Sequence, residues 1–142
     1  MRLAPQGWCG YPYWPTMGAE EQFVAMARTV LIVDDHPSFR ASARRLLEGE
    51  GYDVIGEAED GSSALQAARE LMPDVILLDV RLPDLDGFAV ARRITGRPGS
   101  PAVILISSRE VDEWGRAVAE AGARGFIEKA KLSAKTMEAL LV

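Results

Sequence analysis

Three uninterrupted apolar runs punctuate the chain: Val30-Leu31-Ile32-Val33, Val75-Ile76-Leu77-Leu78 and Val103-Ile104-Leu105-Ile106. A strand that is apolar at successive positions has both faces buried, as in a parallel sheet covered on either side. Two shorter stretches, Val54-Ile55-Gly56-Glu57-Ala58 and Gly125-Phe126-Ile127, read as further strands. Between these runs the apolar positions recur at helical spacing. Phe39, Ala43, Leu46 and Leu47 mark a first helix, which Pro37 can open and Gly49/Gly51 end. Ala64, Leu65, Ala68 and Leu71 mark a second, closed before Pro73. Phe88 to Ile94 is a third, with Gly96 and Pro98 behind it. Val111, Trp114, Val118 and Ala121 mark a fourth that ends at Gly122, with Trp114 on its packing stripe. Ser133 can cap a last helix that runs to Val142. Strand and helix alternate five times, which predicts an α/β fold: a parallel sheet with helices on both faces.

Residues 1–28 follow a different rule. Pro5, Pro12 and Pro15 interrupt a stretch rich in Trp and Tyr, so no regular helix or central strand fits there. The expectation is a poorly ordered N-terminal extension, with one or two helical turns between Glu20 and Arg28, followed by a single domain over 29–142. The net charge of -5 and the lack of a basic stripe argue against direct contact with nucleic acid. A single cysteine, Cys9, excludes an internal disulfide and fits a reducing compartment. No apolar run approaches the roughly 18 residues of a membrane helix, and no signal-peptide pattern opens the chain. A cytoplasmic location without membrane contact is therefore expected.

Chemistry concentrates at the ends of the strands. Asp34-Asp35 follow the first, Asp79 the third, Ser107 the fourth and Lys129, after Glu128, the fifth. In an open parallel sheet these ends share one edge, where ligands bind. Taken singly, each residue has an ordinary reading: Asp as helix cap or turn residue, Ser as loop hydroxyl, Lys as solvated surface charge. Five such residues at four strand ends are much harder to explain that way. Three converging carboxylates must share a proton or hold a cation. Oxygen ligands suit Mg²⁺ or Mn²⁺, which would also take phosphate oxygens. The cation and Lys129 would neutralise an incoming phosphoryl group, Ser107 would donate to one of its oxygens, and Asp79 would attack phosphorus in line.

The runs ending in Asp34-Asp35-His36-Pro37, Leu78-Asp79-Val80-Arg81-Leu82-Pro83-Asp84-Leu85-Asp86-Gly87, Ile106-Ser107-Ser108 and Gly125-Phe126-Ile127-Glu128-Lys129 resemble response-regulator receiver domains. The resemblance covers about residues 29–142. It implies a flavodoxin-like sheet of order 2-1-3-4-5, with Asp79 as phosphoacceptor. It also implies a metal held by Asp35, Asp79 and the backbone carbonyl of Arg81, with Asp34 beside it or acting through water. Ser107 and Lys129 would bind phosphate, and Ser107 and Phe126 would form the switch. Arg81 and Arg109 flank the path of attacking water and would modulate phosphate lifetime. The implied partners are a sensor histidine kinase or phosphotransfer protein, with the surface of helix 4, strand 5 and helix 5 as a candidate homodimer face. Such a domain catalyses only its own phosphorylation and dephosphorylation. One departure is Ala130, where many receivers have a cis proline; a cis bond before Ala costs about 2.5–4 kcal/mol, which leaves that loop's geometry open.

Three other readings compete. Haloacid-dehalogenase-type phosphatases place a general-acid Asp two residues after the nucleophile, and Arg81 occupies that position. Dinucleotide enzymes carry a Gly-rich turn after the first strand, which is missing here. A pseudo-receiver, an interaction module that takes no phosphate, is disfavoured by the complete residue set. His36, the only histidine, is expected to be a surface residue, since nothing in the sequence pairs with it. Leu82-Pro83 with Asp86-Gly87 reads as a turn that holds the loop beside Asp79.

Overall fold

The computed structural model describes residues 27–109 and 115–142. The alternation is β1 (Thr29–Val33), α1 (Pro37–Gly49), β2 (Asp53–Ala58), α2 (Gly61–Leu71), β3 (Val75–Asp79), α3 (Gly87–Thr95), β4 (Ala102–Ser107), α4 (Gly115–Glu120), β5 (Gly125–Glu128) and α5 (Ala134–Leu141), with a 3₁₀ turn at Lys129–Lys131 before α5. The five strands are parallel and ordered β2-β1-β3-β4-β5. This is the order the resemblance implies. The expected helical turns before Ala27, and the start of the fourth helix at Val111 with Trp114 on its stripe, lie outside the described residues. Ala27 and Arg28 themselves are not helical. No cis peptide bond occurs among the described residues, so the Lys129–Ala130 bond is trans.

Period-two alternation divides the apolar side chains of the central strands between two cores. Leu31, Val33, Ile76, Leu78, Val103 and Leu105 face α2, α3 and α4, where Ala64, Val90, Ala91, Ile94 and Val118 meet them. Val30, Ile32, Val75, Leu77, Ile104 and Ile106 face α1 and α5, meeting Ala43, Leu47 and Met137. The runs Val30–Val33, Val75–Leu78 and Val103–Ile106 in the three central strands are thus apolar because every position on them is buried.

Local chemistry sets where the helices begin. Asp60 caps α2 through a reciprocal box with Ser63, and Ser133 caps α5 in the same way with Thr136. Pro37 fills the first turn of α1, where a missing N–H costs nothing. Registers Val33 with Leu78, Asp79 with Ile106 and Ser107 with Glu128 bring the C-terminal ends of four strands onto one edge.

Candidate functional site

Three polar side chains are buried at that edge: Asp34, Asp79 and Ser107. Burying a carboxylate costs several kcal/mol unless it is paired. The partner is Lys129, which the 3₁₀ turn after β5 brings back over the edge. Its ammonium lies 2.5 Å from Asp34 Oδ2 and 3.3 Å from Asp79 Oδ2. The same ammonium sits 4.6 Å from the centre of the Phe39 ring on α1, which shields it from one side. One cation therefore answers two buried acids. Asp34 Oδ2 is sealed from solvent and makes no aligned hydrogen bond, so its interaction with Lys129 is one of charge alone.

The imbalance is visible in Asp79. Burial first, and then the charge of Asp34, push its carboxyl above the usual carboxylate range; Lys129 and the Arg81 N–H pull the other way without cancelling this. The Arg81 N–H donates to Asp79 Oδ1 at 3.2 Å. Asp35, in contrast, is largely exposed at the mouth of the site.

His36 lies at the surface, as expected, but it has partners that the sequence did not suggest. Its ring is exposed, yet Nδ1 stands 3.0 Å from Asp34 Oδ1 and 3.1 Å from Asp35 Oδ1. Its backbone N–H also donates to Asp34 Oδ1 at 2.8 Å. As the residue before Pro37 it caps α1, and the tight turn folds it back onto the acids that precede it. Asp34, Asp35, His36 and Asp79 each offer a ligand atom within 4.8 Å of the others. The proximity of His36 follows from backbone geometry that residue spacing does not reveal.

Ser107 ends β4, and its hydroxyl accepts from the Arg109 N–H at 3.2 Å. The side chains of Arg81 and Arg109 are exposed. Phe126 on β5 is half-buried against the core that faces α2, α3 and α4.

The loop after Asp79 is built from its own acids. Asp86 caps α3, accepting from the N–H groups of Phe88 at 2.6 Å and Ala89 at 3.3 Å. Asp84 reaches across to the start of α2, accepting from Gly61 N–H at 2.7 Å and Ser62 N–H at 3.0 Å. A bridge between Arg81 and Asp86 closes the loop. Gly87 then passes so close to β3 that a Cβ would overlap the Asp79 carbonyl oxygen and lie 2.8 Å from Val80 Cα. Only glycine fits that approach.

A second support escaped sequence reasoning. Arg40 of α1 donates from Nη1 to the Asp34 backbone carbonyl at 2.6 Å and from Nε to Glu57 Oε1 at 3.0 Å. Arg44 donates to Glu57 Oε2 at 2.8 Å. Glu57 on edge strand β2 thus anchors a clamp on the carbonyl between the two acids. Hydrogen bonding from Arg44, and then Arg40, holds the Glu57 carboxyl below the usual range.

The sequence model of the response regulator receiver domain matches residues 30–141. The transcription regulator BvgA of Bordetella pertussis is 38% identical over 104 residues, covering 73% of this chain and 50% of that protein. The chain spans about half the length of the curated relatives it matches. Among solved structures, a LuxR-family two-component response regulator from Aurantimonas sp. superposes with a TM-score of 0.74 at 32% identity, covering 81% of this chain and 85% of that one. A chain of the CheX–CheY–BeF3–Mg²⁺ complex from Borrelia burgdorferi superposes with a TM-score of 0.73 at 27% identity, covering 81% and 90%.

Proposed function

Since the chain belongs to the response regulator receiver domain family, we propose that it takes a phosphoryl group on Asp79 from a sensor histidine kinase or phosphotransfer protein. The observation that carries this reading is the pair of buried carboxylates, Asp34 and Asp79, that share the single ammonium of Lys129. Such a site has one positive charge too few for its acids, and it lies at the sheet edge where open α/β folds bind ligands.

A divalent cation, Mg²⁺ or Mn²⁺, fits the donor set. Asp34, Asp35, Asp79 and the backbone carbonyl of Arg81 supply hard oxygens, and the described residues include no thiol. Asp34 Oδ2, buried without an aligned hydrogen bond, is the atom most in need of such a partner. When bound, the ion supplies positive charge against the acids and the phosphoryl oxygens. The crystal structure from Borrelia burgdorferi that carries BeF3 and Mg²⁺ has the same fold, which supports the choice.

The remaining steps fall to this chain's own side chains. A carboxylate oxygen of Asp79 attacks phosphorus in line; the new P–O bond forms as the bond to the donor breaks, and the donor leaves with the electron pair. Lys129 pairs with a phosphoryl oxygen, and Ser107 donates its hydroxyl proton to another. For that, Ser107 releases the Arg109 N–H it now accepts from. Its movement vacates space behind β4, into which the half-buried Phe126 turns; burying a Phe fully is worth about 1.5–3 kcal/mol. The surface made of α4, β5 and α5 changes shape, and a partner or a second copy docks there. The exposed side chains of Arg81 and Arg109 lie two residues beyond Asp79 and Ser107 and screen the acyl phosphate from water.

Beryllofluoride with Mg²⁺ tests the switch by nuclear magnetic resonance. Amide shifts should spread from Asp79 to Ser107, Phe126 and α4. Shifts confined to the Asp79 edge would refute the switch, and an unaltered spectrum would favour a pseudo-receiver.

A further inference from the structure

At the opposite end of the sheet from Asp79, α2 and α3 diverge over a groove of about 560 Å³, closed by the Pro98–Pro101 turn. Leu65, Ala68 and Ile94 line it, and three arginines, Arg69, Arg93 and Arg97, surround it. No carboxylate lines the groove, and none of these guanidiniums has an ion-pair partner among the described residues. This concentration of unpaired positive charge stands in a chain of net charge -5.

Arg69 and Arg93 lie in the last turns of α2 and α3, where a cation complements the helix dipole. That accounts for two of the three charges. Arg97 lies beyond α3 and has no such role. Met72 also lacks a structural reason. It terminates α2 in a left-handed conformation, φ 47°, which Gly or Asn adopts at less cost. Its side chain is 78% exposed beside the groove. Its backbone N–H closes α2 on the Ala68 carbonyl, but the methionine side chain, held out in water, adds nothing to the helix end or the core.

Met and Arg are the residue types enriched at protein–protein interfaces, whereas an ordinary surface favours Lys and Glu. We propose that this groove docks an acidic segment of a partner protein, with an apolar side chain entering against Leu65, Ile94 and Met72 and carboxylates meeting Arg69, Arg93 and Arg97. The open shape and the exposed, flexible guanidiniums suit a peptide segment rather than an enclosed small molecule. The site is remote from Asp79, so it stands or falls independently of the phosphoacceptor reading.

A fluorescein-labelled 14-residue peptide of Glu and Leu at helical spacing serves as the probe for the full chain. Two controls carry Lys in place of Glu, or Ser in place of Leu. Fluorescence anisotropy in low salt should detect the Glu/Leu peptide, with binding that weakens as salt rises. Amide shifts should map to Leu65–Met72 and Arg93–Pro101. The triple variant Arg69→Gln/Arg93→Gln/Arg97→Gln should bind at least tenfold more weakly, and Met72→Ser severalfold more weakly, with the remaining amide spectrum intact. If the triple variant lost its native spectrum, the three single variants should each still weaken binding about threefold. Equal binding by the arginine variants, equal binding of the Lys peptide, or shifts that map elsewhere would overturn the proposal. So would concentration-dependent shifts of the groove amides without peptide, since the occupant would then be a second copy.

Discussion

Replacing Gly87 by alanine tests the claim that the loop after Asp79 is fixed by close backbone approach. The new methyl group would overlap the Asp79 carbonyl oxygen and sit 2.8 Å from Val80 Cα and 3.0 Å from Val80 O. These are backbone atoms of a central strand and cannot swing aside, so α3 and its loop must lift. Overpacking of this kind costs about 1–3 kcal/mol. The 2.7 Å bond from Gly87 N–H to Val80 O would stretch, at a cost of about 0.5–1.5 kcal/mol. Alanine's more restricted unfolded chain offsets about 0.4–1 kcal/mol. A net loss of about 2 kcal/mol is expected, measured by urea unfolding as a lower midpoint at unchanged slope. Because the lifted loop carries the Arg81 backbone, Mg²⁺ affinity should fall as well, read by isothermal titration calorimetry. A loss below about 0.5 kcal/mol with unchanged affinity would refute the close-approach argument.

Three further outcomes are expected. Asp86→Ala removes the cap of α3 and should cost about 1 kcal/mol in the same unfolding assay. Glu57→Gln should lower stability near neutral pH and much less in acid. The folded Glu57 carboxyl is held below its unfolded value, so its contribution is complete above the unfolded value of about 4.3 and is lost as pH falls through the folded one; midpoints of the two proteins measured from neutral pH downward should converge, and a constant gap would contradict the clamp. Arg81→Ala and Arg109→Ala should each shorten the life of the acyl phosphate, timed by intact mass after removal of the donor; unchanged lifetimes would remove both side chains from the screening role.

The fold was legible because its strands carry an unmistakable burial signature. Val30–Val33 and Val75–Leu78 have no polar position, and only a doubly covered strand tolerates that. Asp34, Asp79, Ser107 and Lys129 were legible for a related reason: the first three directly follow such runs and Lys129 closes the short fifth strand after Glu128, so topology brings them together without knowledge of side-chain angles. What escaped was pairing across elements. Nothing in the sequence says that Arg40 reaches the Asp34 carbonyl, or that Asp84 caps a helix more than twenty residues before it. Leu82-Pro83 with Asp86-Gly87 read as a turn, and Asp84 between them drew no role of its own, because turn and cap both favour Asp. His36 is the surface residue expected of it, but its contacts escaped for a similar reason: sequence separation gave it no partner, while the turn into α1 folds its ring onto the two residues just before it. Element ends moved by a residue or so, as hydrogen bonding extended β3 through Asp79 and β4 through Ser107.

The central claim is that Asp79, rather than Asp34 or Asp35, receives the phosphoryl group. Acetyl phosphate with Mg²⁺, followed by borohydride reduction of the acyl phosphate and peptide mass spectrometry, locates the modified carboxyl directly. The account requires homoserine at position 79, dependent on Mg²⁺ and absent from Asp79→Asn. Modification at Asp34 or Asp35, or none in a folded protein with Mg²⁺ present, would contradict it.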